Sequence, residues 1–420
     1  MRSNTYRLVT FSLGIAVGLS CSVGARSDDT DPPKAVPRKA TEKHPASHAK
    51  TVRKAAPLLT FPQIMRANFP KWDKDGDDQL SRKEVNALVV RPDIRGRVAA
   101  AVATLHLYLR EHPQQAAIPQ SDVVPAADGK TGLNLDDVFG VFCRQIAHTS
   151  REVFAENSVP SIESIAQGGI GDCFFLAALG SAINKDPKAV QQMIRPFPDG
   201  STEVAFPGGP KLRVRRMSDT EIALTSTAEN QGMWLNILEK AYGQACIRPG
   251  TRGPKRQHAD LDIDIIARGG DARRTIELFS EHAGRLVTFR HDEGEKLPPT
   301  AEEMPGLRNK IHRLLISRVE NHSLMVAATT AGNLLPGIRA HHDYSVLGYD
   351  AEQRIIHLWN PQGKPSGPGK DDPTNHGAFD LPLDDFLKSF GGLLYETDQV
   401  ALRPGRPRPL GTEAGDGPSS

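Results

Sequence analysis

The sequence predicts a mixed α/β chain of the α+β kind, with a helical region over 58–155 followed by a region over 156–402 that opens helical and turns strand-like. Three observations carry this. Apolar residues recur at intervals of three and four along "RGRVAAAVATLHLYLREH" (95–112) and "NLDDVFGVFCRQIAHTSREVF" (134–154), which is the helical period. Two apolar runs joined by a polar turn in "YSVLGYDAEQRIIHLWNPQG" (344–363) read as paired strands. The flanks 26–57 and 403–420 hold Pro, Ala, Gly and charge but few large apolar side chains, so they read as a disordered linker and tail.

The elements follow in order. Residues 1–25 read as a secretory signal: Arg2 and Arg7, an apolar centre from Leu8 to Leu19, then Val23-Gly24-Ala25. Export is therefore expected, to a secreted or periplasmic location. Cys21 raises the alternative of a lipid anchor, although Gly18 fits that pattern poorly. Beyond the signal no apolar stretch is long enough to span a bilayer, so no transmembrane segment is expected in the mature chain. "GSTEVAFPGGPKLRVRRM" (200–217) reads as a hairpin and "GMWLNILEKAYGQA" (232–245) as an amphipathic helix. The formal charge of +2 sits on balanced acidic and basic residues, which argues against a nucleic-acid partner. Cys143, Cys173 and Cys246 would remain after cleavage of the signal, an odd number. A Cys143–Cys246 disulfide would leave Cys173 free, and sequence alone does not decide it.

"DKDGDDQLSRKE" (73–84) follows the twelve-residue EF-hand calcium loop in its oxygen ligands. Asp73, Asp75 and Asp77 stand at positions 1, 3 and 5, Gln79 offers its backbone carbonyl at position 7, Ser81 stands at position 9, and Glu84 closes the loop at position 12. Spacing by two aims alternate oxygens at one point, which suits a hard divalent cation, and Ca2+ is the expected ion. The sixth position is Asp78 rather than glycine, and Asp tolerates the left-handed backbone required there. The competing reading is a solvated acidic turn. A degenerate partner loop is sought at 128–139, where a helix start capped by Asn134 is the alternative.

"QGGIGDCFFLAAL" (167–179) places a cysteine where a glycine-rich loop becomes an apolar helix. A structural thiol, half a disulfide or a metal ligand are open readings, and a nucleophile is the fourth. A helix N-terminus stabilises a thiolate, and the Cys173 N–H can serve a developing oxyanion. A side-chain amide reaching across the loop would be the second donor, and Gln167 stands where one is wanted. Downstream, His342 opens one predicted strand and Asn360 ends the next, so adjacent strands could present imidazole and amide side by side. His341 falls on the other face, as does His357 relative to Asn360.

These segments together resemble calpain-type cysteine proteases. "QGGIGDCFFLAA" is similar to their active-site segment, "HDYSV" to their His-x-Tyr-Ser-Val and "LWNPQG" to their Asn-Pro-x-Gly. "MWLNILEKAYGQ" (233–244) and "FDLPLDDFLKSFGGL" (379–393) resemble further elements, in the same order over about 160–400. Phe174 stands where the family has Trp after its cysteine, and Gln362 where it has Trp after Asn-Pro. The resemblance does not reach the calcium-loop region, and the family's own calcium sites within the core are not matched. It implies a papain-like, two-lobed core with lobes of about 156–268 and 269–402, carrying Cys173, His342 and Asn360 as triad and Gln167 as oxyanion donor. The implied activity is calcium-linked cleavage of protein or peptide substrates. A non-catalytic calcium-binding scaffold is the alternative, and a transglutaminase-like transferase a weaker third reading.

Overall fold

A computed structural model describes residues 58–124, 132–247, 261–267, 269–289, 300–331, 334–363 and 376–401. The signal, linker and tail readings, and the first residues of the 128–139 segment, lie outside the described residues. Helix and antiparallel sheet are mixed in the remainder, as the sequence predicts. No helix among the described residues is long and apolar enough to cross a membrane.

The first part holds α1 (Phe61–Trp72), β1 (Gln79–Ser81), α2 (Arg82–Val89), α3 (Gly96–Glu111), β2 (Ala117–Pro119), α4 (Gln120–Val123) and α5 (Asp136–His148). Capping boxes start α1 at Thr60 with Gln63 and α2 at Ser81 with Glu84, satisfying amides that the first turn leaves open. β1 and β2 pair antiparallel with Leu80 opposite Ile118, both fully buried. Among the described residues the acidic loop 73–84 therefore pairs with 111–122, where Ile118 stands opposite Leu80, and the described part of 128–139 forms no strand with it. Sequence reading missed it because 111–122 keeps the apolar pairing residue but lacks the internal acidic ligands that mark such a loop. Nor does Asn134 cap α5: the residue before that helix is Leu135, with no side-chain cap.

The second part begins with α6 (Cys173–Lys185), α7 (Pro187–Gln192) and an antiparallel sheet of β3 (Ile194–Pro196), β4 (Thr202–Ala205) and β5 (Lys211–Val214). Then come α8 (Asp219–Leu224), α9 (Trp234–Cys246), α10 (Asp262–Ile266) and α11 (Ala272–Ser280). The last part holds β6 (His282–Thr288), α12 (Met304–Glu320), β7 (Met325–Thr329), β8 (Asp343–Asp350), β9 (Ile355–Trp359), β10 (Ala378–Pro382), α13 (Leu383–Ser389) and β11 (Phe390–Val400). Its six strands form one antiparallel sheet in the order β10-β9-β8-β7-β11-β6.

Three apolar clusters result: one for the first part, one around α6 and α9, and one under α12 and α13. Ala272, Ile276 and Phe279 of α11 join the cluster around α6, and the third cluster begins at Phe289. The apolar face of α11 thus has α6 as a partner, and the same cluster takes in Leu324, Val326, Trp359 and Leu394 of the last part. The first cluster reaches into the second region through Ala223, Leu224 and Ile263. Gln145 of α5 donates to the carbonyls of Ile222 and Thr225 at 2.9 and 2.6 Å. His106 of α3 bridges Asn86 and Asp264 at 2.9 and 2.8 Å.

Helix α6 lies against the larger sheet along a stripe of small and polar residues at helical spacing, Ala177, Gly180, Ser181 and Asn184. Ser345 Oγ donates to the Ala177 carbonyl at 2.7 Å, Met325 N–H to Ser181 Oγ at 2.9 Å, and Asn184 to the Leu347 carbonyl at 2.8 Å. A Cβ on Gly180 would stand 2.5 Å from Ser345 Oγ and 2.8 Å from the Trp359 ring. Backbone and sheet therefore meet at a distance that no side chain permits.

Gly180→Ala is expected to lower the unfolding free energy by about 2 kcal/mol through overpacking. Gly306→Ala in α12, where an added Cβ meets nothing within 4 Å, should be neutral or slightly stabilising. Urea denaturation of the two variants and wild type checks the contrast.

Candidate functional site

The seat of α6 brings its first residue, Cys173, to the start of β8. The thiol is partly buried, and the amides of Asp343 and Phe174 point at its sulfur. Asp343 follows His342 directly, so imidazole and thiol come from adjoining backbone. His342 is buried, and its Nε2 meets Asn360 Oδ1 at 2.8 Å. Asn360, also buried, follows the last residue of β9, and its Oδ1 accepts the Gln362 N–H at 3.1 Å as well. The backbone at Gln362 therefore helps orient the amide. Thr329 Oγ accepts the His342 N–H at 3.0 Å, and the Tyr344 ring stands edge-on to the imidazole at 4.9 Å. The Phe174 ring is buried against Gly270, where an added Cβ would lie 2.4 Å from it, and against Tyr242 at 5.7 Å.

His341 has a left-handed backbone, φ 52°, and is exposed. His357 pairs with Asp380 at 2.6 Å on the outer face of the sheet. Neither joins the group. Cys143, Cys173 and Cys246 are not joined by disulfides, so the Cys143–Cys246 bridge is not formed. Cys143 packs with the first apolar cluster and Cys246 with the cluster around α6.

Gln167 is tied to the same place through its backbone, whose N–H donates to the Pro361 carbonyl at 3.0 Å. Its side-chain nitrogen donates to the Ile170 carbonyl at 2.9 Å and to Asp172 Oδ1 at 3.0 Å. Its Oε1 is buried without a partner. The reversed amide is excluded by the Ile170 carbonyl, which would then face an oxygen at the same distance. Both amide hydrogens are thus held internally in this state. Arg110 of α3 donates to the Gly169 carbonyl at 2.8 Å, joining the first region to the glycine loop.

Burial dominates the electrostatics. It pushes the Cys173 thiol up to about 12, with the Asp343 carboxyl adding to the rise, and drives His342 down to about 4 against the support of Asn360. The pair at rest is a thiol and a neutral imidazole. Asp343, itself raised to about 7 by burial and the charge of Asp271, is the acidic group that acts most strongly on the thiol, ahead of Asp172. Two open depressions of about 460 and 420 Å³ lie elsewhere, one beside Arg95, Arg216 and Lys240 and the other beside Lys185, Met193 and Phe279. Neither borders Cys173.

In the acidic loop 73–84, Asp73, Asp75 and Glu84 bring ligand oxygens within 4.8 Å of one another, a group that could hold a metal ion. The other expected ligands take local roles. Asp77 accepts the Gln79 N–H at 2.9 Å, Gln79 opens β1, and Ser81 Oγ caps α2 and donates to Glu84 at 2.7 Å. Asp78 adopts φ 58°, the left-handed turn asked of that position. Desolvation, then the charges of Asp77 and Glu84, raises the Asp75 carboxyl above its ordinary value. An all-oxygen donor set of mutually repelling carboxylates fits a hard divalent cation.

Asp172, Ser226, Glu239, Asp343 and Arg110 were not found from sequence. A signal existed for one of them: Glu239 falls within "WLNILEKAYG", whose residues are all buried, so an acid there had to have a partner. Comparison with protein-family models and with curated proteins gives no match.

Asp343 has a folded pKa near 7 against an ordinary 3.8, so it lowers stability progressively as pH rises through that interval. Asp343→Asn should raise the melting temperature at pH 8 and leave it unchanged below pH 3.8, while moving the pH midpoint of Cys173 alkylation by iodoacetamide downward. Glu84→Gln keeps the capping box but removes a ligand charge, and Asp75→Asn removes another. Calcium titration by calorimetry and thermal melts should show stabilisation of the wild type that either variant weakens at least tenfold in affinity.

Proposed function

We propose that the chain is an exported, calcium-linked cysteine endopeptidase with a papain-like two-lobed core, hydrolysing peptide bonds in protein substrates. The observation that carries this reading is the buried His342 Nε2–Asn360 Oδ1 contact of 2.8 Å beside a cysteine that opens a helix. With Nε2 engaged by Asn360, the Nδ1 edge is the one available to the thiol. Asn360 orients the ring and adds no charge, and the neutral pair becomes thiolate and imidazolium as substrate reorganises the site.

Cys173 Sγ then attacks the scissile carbonyl carbon, and the carbonyl π electrons move onto oxygen. The Cys173 N–H faces that oxyanion. Gln167 keeps one N–H on Asp172 and transfers the other from the Ile170 carbonyl to the oxyanion. Collapse expels the amine, protonated by His342, and leaves a thioester. His342 takes a proton from water, whose oxygen displaces Cys173; the carboxylic product leaves and the thiol recovers its proton.

Asp73, Asp75 and Glu84 would hold Ca2+, with Asp77, Gln79 and Ser81 completing the set proposed from the loop pattern. The ion supplies charge neutralisation and order in the loop, not chemistry at the thiol. Support for a calcium link comes from the connection between the two places. Arg82, in the loop, donates to the Leu109 and Gln115 carbonyls at 2.7 and 3.3 Å, and the next residue, Arg110, holds the Gly169 carbonyl. A non-catalytic scaffold is the second reading, favoured by the burial that keeps thiol and imidazole neutral at rest.

Casein cleavage by the mature chain under reducing conditions tests both. Activity is expected with calcium, reduced by chelator, absent in Cys173→Ala and His342→Ala, and lowered about a hundredfold in Gln167→Ala. Equal rates with chelator remove the calcium link. No cleavage by a folded wild type at any calcium level selects the scaffold.

A further inference from the structure

Two carboxyl side chains with no cation hydrogen-bonded to either meet next to the nucleophile, one of them on the residue that precedes it. Asp172, at the start of α6, and Glu239, in α9, are fully buried. Glu239 accepts the Ser226 N–H on both oxygens, at 3.2 and 3.0 Å. Ser226 is itself fixed: its Oγ accepts the Gly168 N–H at 3.1 Å, and its carbonyl accepts from Asn236 at 2.8 Å. Asp172 Oδ1 takes the Gln167 amide, while no N–H reaches its buried Oδ2. Besides Gln167, the groups facing the Asp172 carboxyl are those of Glu239 and Ser226.

The charged and titratable groups around the pair are few. Arg110 faces it from α3, with its hydrogen bond on Gly169, and Cys173 adjoins it on α6. Lys240, next to Glu239 in sequence, bonds to Glu221 at 2.5 Å instead. Two carboxylates cannot both ionise in so dry a volume, so one proton lies between them. Burial raises both. Both Glu239 oxygens already receive the Ser226 N–H while Asp172 Oδ2 receives none, so Asp172 Oδ2 is the acceptor left open to that proton and Glu239 is the donor; the mutual effect of the two carboxyls, which raises Glu239 and lowers Asp172, runs the same way.

We propose that Glu239 is a positioning residue: it carries the shared proton, donates it to Asp172, and through Asp172 fixes the Gln167 amide used at the oxyanion. The proposal rests on the protease reading and adds a residue to it. An ionised Asp172 grips the Gln167 N–H in a charge-assisted bond, which a neutral acceptor would do more weakly. A protonated Glu239 stabilises that anion without placing a second charge behind the thiolate. Loss of the proton at high pH creates a buried dianion, which drives the carboxyls apart and releases Gln167.

The test compares wild type, Glu239→Gln, Glu239→Leu, Gln167→Ala and the double variant Gln167→Ala/Glu239→Leu. An amide at 239 can donate to Asp172 and accept from Ser226 but cannot ionise. Glu239→Gln is therefore expected to keep peptide kcat/KM within about threefold at pH 7 and to lose an alkaline decline seen in wild type. Glu239→Leu should lower kcat about a hundredfold with KM little changed, and the double variant should fall no more than about threefold below Gln167→Ala. Equal damage from Gln and Leu at 239, or losses that multiply in the double variant, would overturn the proposal.

Two readouts need no catalysis. The infrared carbonyl band of a protonated carboxyl should persist at pH 7 and vanish in Glu239→Gln. The Gln167 side-chain amide resonance should move in Glu239→Leu and hold in Glu239→Gln. A wild type that cleaves nothing but shows both signals retains the positioning and loses the protease reading. Absence of the carboxyl band overturns the positioning whatever the cleavage assay gives.

Discussion

Everything at the candidate site depends on how closely α6 approaches the six-stranded sheet. The thiol is on the helix, and the imidazole and amide stand one residue before β8 and one residue after β9, so their relation is set by the distance between helix and sheet. Gly180 removes the side chain that would separate them, and the Ser345 hydroxyl and Trp359 ring occupy the space so gained. Ser345 and Trp359 lie on the strands that follow His342 and lead to Asn360. A displacement at Gly180 would be transmitted to all three residues, since packed interiors shift as units rather than deform locally.

Close packing has an electrostatic consequence. The burial that orients His342 and Asn360 also disfavours charge on the thiol and the imidazole, and it leaves Asp172 and Glu239 without water. The helix N-terminus and the amides of Asp343 and Phe174 act in the opposite sense on the sulfur. In the proposed mechanism the pair ionises only when substrate alters this balance, which couples chemistry to binding. The shared carboxyl proton belongs to the same logic, holding the buried charge near the thiol to one unit.

The first region is more than an appendage to this core. Its helices α3 and α5 bury apolar surface against α8 and α10, and Gln145, His106 and Arg110 add polar contacts to that apolar surface. From the acidic loop to the glycine loop the connection is two side chains long, Arg82 and Arg110, through one helix end. Ordering of the loop by a cation would therefore act on a segment already bonded to the backbone beside Gln167.

Local pattern was sufficient for much of this. The helical period over 95–112, the hairpin at 200–217 and the paired strands at 344–363 are properties of neighbouring residues, and the structure forms each of them. Asp73, Asp75 and Glu84 were legible because a calcium loop is one short segment, and Cys173 because a glycine loop meeting an apolar helix is local too. The meeting of His342 with Asn360 followed from the order of two adjacent strands. Other features were decided only by tertiary contact. The pairing of Leu80 with Ile118 depends on two loops converging without shared acidic residues. The association of α11 with α6 depends on which apolar face is nearest in space. The proximity of Glu239 to Asp172, and the inward turn of the Gln167 amide, arise where separate helices and a loop enclose a dry volume. There the cost of an unpaired buried polar group selects the partners, and sequence spacing carries no record of that choice.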